Sequence, residues 1–536
     1  MKKSTRFNIL IALTYSVTLI GGMFLGYKFL KDQGFKVERD TRYTTDNNAQ
    51  RVEDIIHIIN KNYVDDVNAD SLQHLPIDSL LHQLDPHSIY LPATKASELS
   101  ETLEGNFEGI GVEYYILNDT LLVTNVFKDG PAYLAGVKQG DKILKVDTNY
   151  ISGKSLPRSA MIGKIRGRKG TSVQITLLHP GAVTSSVLNI KRGKVDVSSI
   201  DASYMINNET AYVRITKFGA NTDEDFVNSI RNLKAKGMKK LILDLRDNGG
   251  GYVTAATGLA NQFLAENKLI VYTQGKHEPR TDYYSTGGGE FEQGKLAVLI
   301  NENSASASEI LAGAMQDLDR GIIIGRRSFG KGLVQEQFAF DDGSALNLTI
   351  ARYYTPLGRS IQKSYKKGYA AYQHEIEDRL NEGELTAGNV KAKDSLQKAV
   401  AYVTQGGKKV YGGGGIQPDV YVKLDTAGLN KFYITLANKK VLIDFVFDVL
   451  ADRYTPAYLA QNLNTFTIND ADYKDLLKYI QSKSIVIDYK QLISARPIIY
   501  NDLKVMLCKY HLGDAGYYKA HNLTDNMVKQ ALASLQ

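Results

Sequence analysis

The chain has one cysteine, Cys508, and no tryptophan among its 536 residues. A single thiol cannot close an internal disulfide, so oxidising conditions are neither required nor excluded. Cys508 lies in the apolar run Val505-Met506-Leu507-Cys508 and reads as a buried structural thiol. No Cys/His spacing fits a zinc site, so neither a metal nor a cofactor is expected. The phosphate-cradling patterns GxxxxGK[ST] and GxGxxG are both absent. The net charge is only +7, and no basic run interleaves with aromatics, which argues against nucleic acid as a partner. No period of about 20–50 residues recurs, which excludes a solenoid. Histidine is scarce. Between residues 200 and 360 there is only His277, in the polar and exposed-looking loop Gly275-Lys276-His277-Glu278-Pro279.

Long hydrophobic runs are also lacking, with one exception. Residues 7–27 carry no charge and follow Lys2, Lys3 and Arg6. A membrane-crossing helix needs about 20 apolar residues, and the positive flank favours a cytoplasmic N-terminus. Residues 1–29 therefore read as a membrane anchor or signal segment. The cleavage candidates Gly21-Gly22-Met23 and Leu25-Gly26-Tyr27 are poor ones. A single-pass protein of the inner or plasma membrane is expected, its bulk extracytoplasmic, and periplasmic if the cell is Gram-negative.

The length allows several domains. Residues 30–48 read as a polar linker. Residues 49–104 read as a small helical domain, with a stripe of Val52, Ile55, Ile56, Ile58 and Ile59. Residues 105–192 are β-rich. Residues 193–430 alternate strands and helices, with a charged insertion near 365–409, and imply an α/β core. Residues 431–536 read as a mainly helical C-terminal domain without a chemical motif. The fold class is thus multidomain α/β.

Three stretches of the α/β portion concentrate residues with chemical uses. Asp244-Leu245-Arg246-Asp247-Asn248-Gly249-Gly250-Gly251 sets a glycine cluster directly after a strand pattern. Amides without a Cβ beside them can approach a ligand closely, as half of an oxyanion hole does, although a tight turn uses the same residues. Asn303-Ser304-Ala305-Ser306-Ala307-Ser308-Glu309 puts three serines between a strand and a helix. Free amides at a helix start favour a developing anion, and a simple N-cap is the plain alternative. Ser328-Phe329-Gly330-Lys331-Gly332-Leu333-Val334-Gln335 holds a lysine between glycines. A serine nucleophile needs a base. A lysine desolvated between Phe329 and Leu333, and so neutral near pH 7, can serve where histidine does not.

Together with Tyr353-to-Gln362, YYTPLGRSIQ, these runs resemble the carboxyl-terminal processing peptidases, also called tail-specific proteases. The resemblance covers about residues 50–425 and rests on four motifs in order. It implies Ser306 as nucleophile, Lys331 as base and Gln335 as the residue orienting the lysine. It also implies Gly250, or Gly251, with Ala307 as the oxyanion hole. Asp317 resembles an acidic residue important in some members, with a structural role equally open. Family members often carry proline where Gly249 stands. Phe107, Gly109, Ile110, Gly111 and Val112 resemble the carboxylate-binding loop of the family's PDZ-like domain. Gly130-Pro131-Ala132, Ala135-Gly136-Val137 and Gly140-Asp141 are similar to its signature. Arg166, with Arg168 as rival, resembles an arginine that couples capture to activation.

The resemblance implies a protease core of crotonase-like spiral type and a Ser–Lys serine endopeptidase. Its expected partners are proteins with exposed C-termini, captured for extracytoplasmic processing or quality control, and a homo-oligomer is left open. Two other readings stand beside it: a non-catalytic PDZ adaptor at the membrane, and an acyl-CoA enzyme of the crotonase type.

Overall fold

The computed structural model describes residues 48–67, 77–153, 156–387 and 400–536. The expected membrane segment and nearly all of the linker lie outside the described residues. Among the described residues no helix is long and apolar enough to cross a membrane, and no cluster of three or more His, Cys, Asp or Glu could hold a metal ion.

The centre of the chain is a six-stranded sheet. Its strands run in the order Ile200–Met205, Thr210–Ile215, Lys240–Asp244, Lys295–Ile300, Ile322–Gly325 and Val420–Tyr421. All neighbours are parallel except the first pair. Parallel strands are buried on both faces, which is why they read as unbroken apolar runs such as Leu241-Ile242-Leu243. Alternate residues serve the two faces. Val213, Leu243 and Val298 pack under the helices Thr222–Ala235, Val253–Asn261 and Ala307–Asp317. Tyr212, Ile242 and Leu299 face the other way, against Met527, Val528 and Ala531 of the last helix, Asn526–Ser534.

Two hydrophobic clusters join segments that lie far apart in the sequence. The last helix covers a face of the central sheet that would otherwise be bare. At the other end, Ile55, Ile58 and Ile59 of the helix Asn48–Asn62 share a cluster with Leu80, Leu81, Phe340, Leu346 and Leu348. The strand Ile89–Leu91 joins a second sheet by pairing with Ala345–Tyr354. That second sheet continues through Leu269–Gln274 to Thr281–Tyr284, and Leu333–Ala339 also pairs with Ala345–Tyr354.

The β-rich module has its own core around Leu121, Val123, Ile143 and Ile175. Its sheet begins with the strand Val112–Leu117, here called the groove strand, and runs through Thr120–Val126, Lys142–Val146 and Ser172–Leu178 to Ser186–Lys191. The helix Arg158–Ile165 flanks it. The chain enters and leaves the module through one antiparallel pair, Asn106–Gly109 with Gly193–Asp196.

The charged insertion forms the short helices Tyr369–Gln373, Glu375–Asn381 and Glu384–Ala387 and a hairpin, Ala401–Val403 with Lys409–Tyr411. Residues 431–512 build a separate helical core from Phe432, Leu436, Phe445, Leu476, Leu492 and Leu503. Its longest element, Tyr489–His521, breaks at Gly513, where φ is 69°. Cys508 is buried in this unit, and burial pushes its thiol up to about 11.

Candidate active site

The nucleophile candidate sits at the junction of the strand Lys295–Ile300 and the helix Ala307–Asp317. Ser306 has φ 55° and ψ −115°, a conformation that side chains other than glycine rarely adopt. The three serines of the run are not equivalent. Ser304 donates its hydroxyl to the Leu245 carbonyl at 2.8 Å, and Ser308 donates to the Asn248 carbonyl at 2.9 Å. Both are fully buried and hold the glycine loop against the helix start. Ser306 is half-buried, and its side chain sits in a capping box with Glu309, but unlike Ser304 and Ser308 it donates its hydroxyl to no acceptor among the described residues.

The glycine loop closes over this serine. A Cβ on Gly250 would lie 2.8 Å from the Ser306 Cβ, and one on Gly251 would lie 2.1 Å from the Phe218 carbonyl oxygen. Both have positive φ, so only glycine fits. Gly249 differs: a Cβ there would meet nothing within 4 Å. The Gly250 amide, the first choice for an oxyanion donor, already donates to Asn248 Oδ1 at 2.9 Å. It would have to share that hydrogen with an oxyanion. The amides of Gly251 and Ala307 have no acceptor among the described residues.

Lys331 comes from the loop before Leu333–Ala339. Burial pushes its ammonium pKa down, while the carboxylates of Asp85 and Glu309 pull it back up. Among the described residues its Nζ has no ion-pair or hydrogen-bond partner. Two groups tie its backbone to that of Ser306. Glu309 Oε2 accepts from the Ser306 and Lys331 amides, each at 2.9 Å, so the two nitrogens are at most two hydrogen-bond lengths apart. The Tyr353 hydroxyl lies 2.7 Å from the Lys331 carbonyl and 3.1 Å from that of Ser306.

Glu309 is the residue that sequence reasoning missed. Its other oxygen accepts from the Ser328 hydroxyl at 2.5 Å and the Gly330 amide at 2.8 Å. One fully buried carboxylate thus receives four donors from two motifs. Burial raises its pKa to about 7, with those donors opposing the rise. The Ser-x-x-Glu spacing at a helix start was the available signal.

Gln335 does not reach the lysine: it donates to Thr349 Oγ1 at 3.1 Å. It follows a register shift between Val334 and Gln335 that turns the strand. Asp317 closes the far end of the helix that Ser306 begins. It pairs with buried Arg359 and accepts from the Leu357 amide at 3.0 Å, so it anchors the fourth motif and makes no contact with the dyad. His277 is exposed. A different histidine lies near the lysine. His87, from the N-terminal segment, contacts the Tyr372 hydroxyl at 2.7 Å and stacks edge-on to Phe329. Burial pushes it down to about 3, with Lys331 and Lys363 adding to the shift, so it is neutral.

In the β-rich module, Phe107, Gly109, Ile110, Gly111 and Val112 all line one cleft of about 680 Å³. The Ile110 and Gly111 carbonyls are taken by the Ala132 and Phe127 amides at 2.7 and 3.1 Å. Their own amides have no acceptor among the described residues, so they form a nest for an anion. Arg166 ends the flanking helix and lies between this cleft and Glu98 and Glu101 of the helix Ala93–Glu104. The Arg168 carbonyl accepts from the Thr171 hydroxyl and amide, at 2.6 and 3.2 Å, in a turn.

Comparison with known proteins identifies the family. Residues 209–368 match the model for peptidase family S41, and residues 109–190 match that for the PDZ domain. The carboxy-terminal processing protease CtpB of Bacillus subtilis is 32% identical over 321 residues, 59% of this chain and 66% of that protein. A probable CtpA-like serine protease of Staphylococcus aureus is 32% identical over 355 residues, 66% of this chain and 68% of that protein. The chain thus spans about two thirds of the length of these relatives. Among solved structures, the photosystem II D1 C-terminal processing protease is 28% identical over 59% of this chain and 90% of that one, with a TM-score of 0.35. The four motifs that converge on Ser306 fall within the matched span, and the chain belongs to the carboxyl-terminal processing peptidases of family S41, serine-type peptidases that carry a PDZ domain.

Proposed function

We propose that this protein is a Ser–Lys endopeptidase that captures unstructured C-terminal tails on its PDZ domain. One observation carries the reading: the serine of the run whose hydroxyl proton has no acceptor among the described residues shares a buried carboxylate clamp with a desolvated lysine. Lys331, in the neutral form that burial favours, takes the proton from Ser306 Oγ as that oxygen attacks the peptide carbonyl. The Ala307 amide and a glycine-loop amide hold the developing oxyanion, aided by the helix dipole. Lys331 returns the proton to the leaving amine, and water then releases the acyl group by the same route. Asp317 and Gln335 act as supports of the surrounding loops in this reading.

The tail enters through its terminal carboxylate, bound by the Ile110 and Gly111 amides. Arg166, placed between the cleft and the N-terminal helix, is the candidate for coupling capture to activity. The charged flank and apolar run at residues 1–29 support a tethered, extracytoplasmic enzyme. The test uses one unfolded substrate with either a free or an amidated C-terminus. The free acid should be cleaved faster, and equal rates would remove the capture step. A reporter fused after Gln536 should be active only on the exported side, and cytoplasmic activity would overturn the topology.

A further inference from the structure

The groove strand Val112–Leu117 ends its sheet. Thr120–Val126 pairs with one side, and among the described residues no strand pairs with the other. An unpaired edge beside the free Ile110 and Gly111 amides is where an extended tail adds as a further strand. A strand presents successive side chains to opposite faces, and the groove strand shows what those faces meet. Val112 is buried in the core of the module, and Tyr114 and Ile116 pack against it. Tyr115 points the other way: its hydroxyl donates to Asp444 at 2.8 Å, and its ring lies 5.0 Å from that of Phe447.

Asp444 and Phe447 belong to the C-terminal helical unit, which no motif explains. Phe447, Met506 and Lys509 of that unit line the cleft together with Ile162 and Ile165 of the flanking helix. We infer that the C-terminal helical unit is the second wall of the tail-binding cleft and selects the penultimate residue of the tail. The inference rests on the tail-capture reading above. The last side chain of an added strand turns toward the core of the module. The penultimate one turns to the opposite face, which a lone PDZ domain would leave in solvent. Here it meets Phe447 and Met506, an apolar surface. Lys509 is already paired with Asp514 at 3.0 Å, on either side of the helix break at Gly513. Glu113 and Asp514 also line the cleft and Lys509 is already paired, so an acidic penultimate residue at this wall meets like charge, Arg166 standing at the end of the flanking helix instead. The wall favours a large apolar residue at that position.

The test is fluorescence anisotropy on the full chain carrying Ser306→Ala, which prevents cleavage. Three labelled peptides with free carboxyl ends differ only at the penultimate residue: Phe, Ala or Asp. Burying one aromatic side chain predicts about tenfold tighter binding of the Phe peptide than of the Asp peptide. In the double variant Phe447→Ala, Met506→Ala that gap should shrink to about twofold, while the Ala peptide binds as before. Equal affinities for the three peptides, or a gap that persists in the double variant, would overturn the inference and leave tail capture standing. The peptide series on the unaltered wall decides the matter even if the double variant folds poorly. An amidated Phe peptide separates the two ideas: if it binds as tightly as the free acid, tail capture itself fails.

Discussion

Replacing Glu309 by glutamine keeps the side-chain shape and removes the charge. The carboxylate receives two donors on each oxygen, whereas an amide has one acceptor oxygen and one NH2. The cheaper orientation turns the NH2 toward Ser328 and Gly330. The Ser328 hydroxyl already accepts from the Ile416 amide at 2.6 Å, so at least one buried donor is left unsatisfied, at a cost of about 1–3 kcal/mol. An opposing gain exists. The Glu309 pKa rises from 4.5 to about 7, and at about 1.4 kcal/mol per unit the ionised form costs on the order of 3 kcal/mol. The sign follows from linkage: a carboxyl raised in the folded state loses stability as pH climbs from its unfolded pKa through about 7, and the cost is complete above that. At pH 8 the two effects nearly cancel, so Tm should change little. Activity should not be spared. Ser306 and Lys331 lose their common anchor, and a displacement of about 1 Å costs about a hundredfold in rate. Steady-state kinetics on a fluorogenic peptide should show kcat falling on that scale with KM unchanged, because Glu309 touches no substrate. A kcat within about threefold of the parent, with Tm preserved, would refute the clamp.

Four further outcomes follow from the structure. Lys331→Met should be inactive yet at least as stable near neutral pH. The depressed lysine pKa burdens the folded state fully below its folded value and not at all above the unfolded one, so a large loss of Tm would instead mark a charged structural partner. His87→Ala should retain most of its kcat, since the imidazole is neutral and held by Tyr372, and loss of activity in a folded variant would reopen the choice of base. Asp525→Ala should cost about 3 kcal/mol in denaturant unfolding, because it removes both a buried partner of Arg246 and the cap of the last helix; unchanged stability would contradict that docking. Gly249→Ala should be tolerated, whereas Gly250→Ala should abolish hydrolysis by pushing into Ser306, and the reverse pattern would refute the loop geometry.

Acid should unfold the protein through a second network. Burial pushes the Asp244 carboxyl up, but Arg246 and Arg214 outweigh it and hold it down at about 2. Its contribution is complete above the ordinary carboxylate range and fades as pH falls toward that value.

The stretches around Ser306 and Lys331 were legible as candidates because each is a short run of distinctive composition. Gln335 was not, since one bulge in the strand decides which neighbour its amide reaches. His87 enters the site from the N-terminal segment, so a search confined to the catalytic run could not find it. Asp317 was read with a structural role left open, and its pairing with Arg359 is of that kind. In the C-terminal unit the periodicity revealed helices but not their targets. A clue did exist: strands apolar on both faces, such as Leu241-Ile242-Leu243, need a cover on each, and the last helix supplies the second.

Hydrolysis of an unfolded protein by the full chain, compared with its Ser306→Ala variant, tests the central claim most directly. Fragments counted by mass spectrometry should accumulate with the parent and be absent with the variant, which should still bind the tail. Cleavage by Ser306→Ala at the parent's rate would contradict the assignment of Ser306 as the nucleophile.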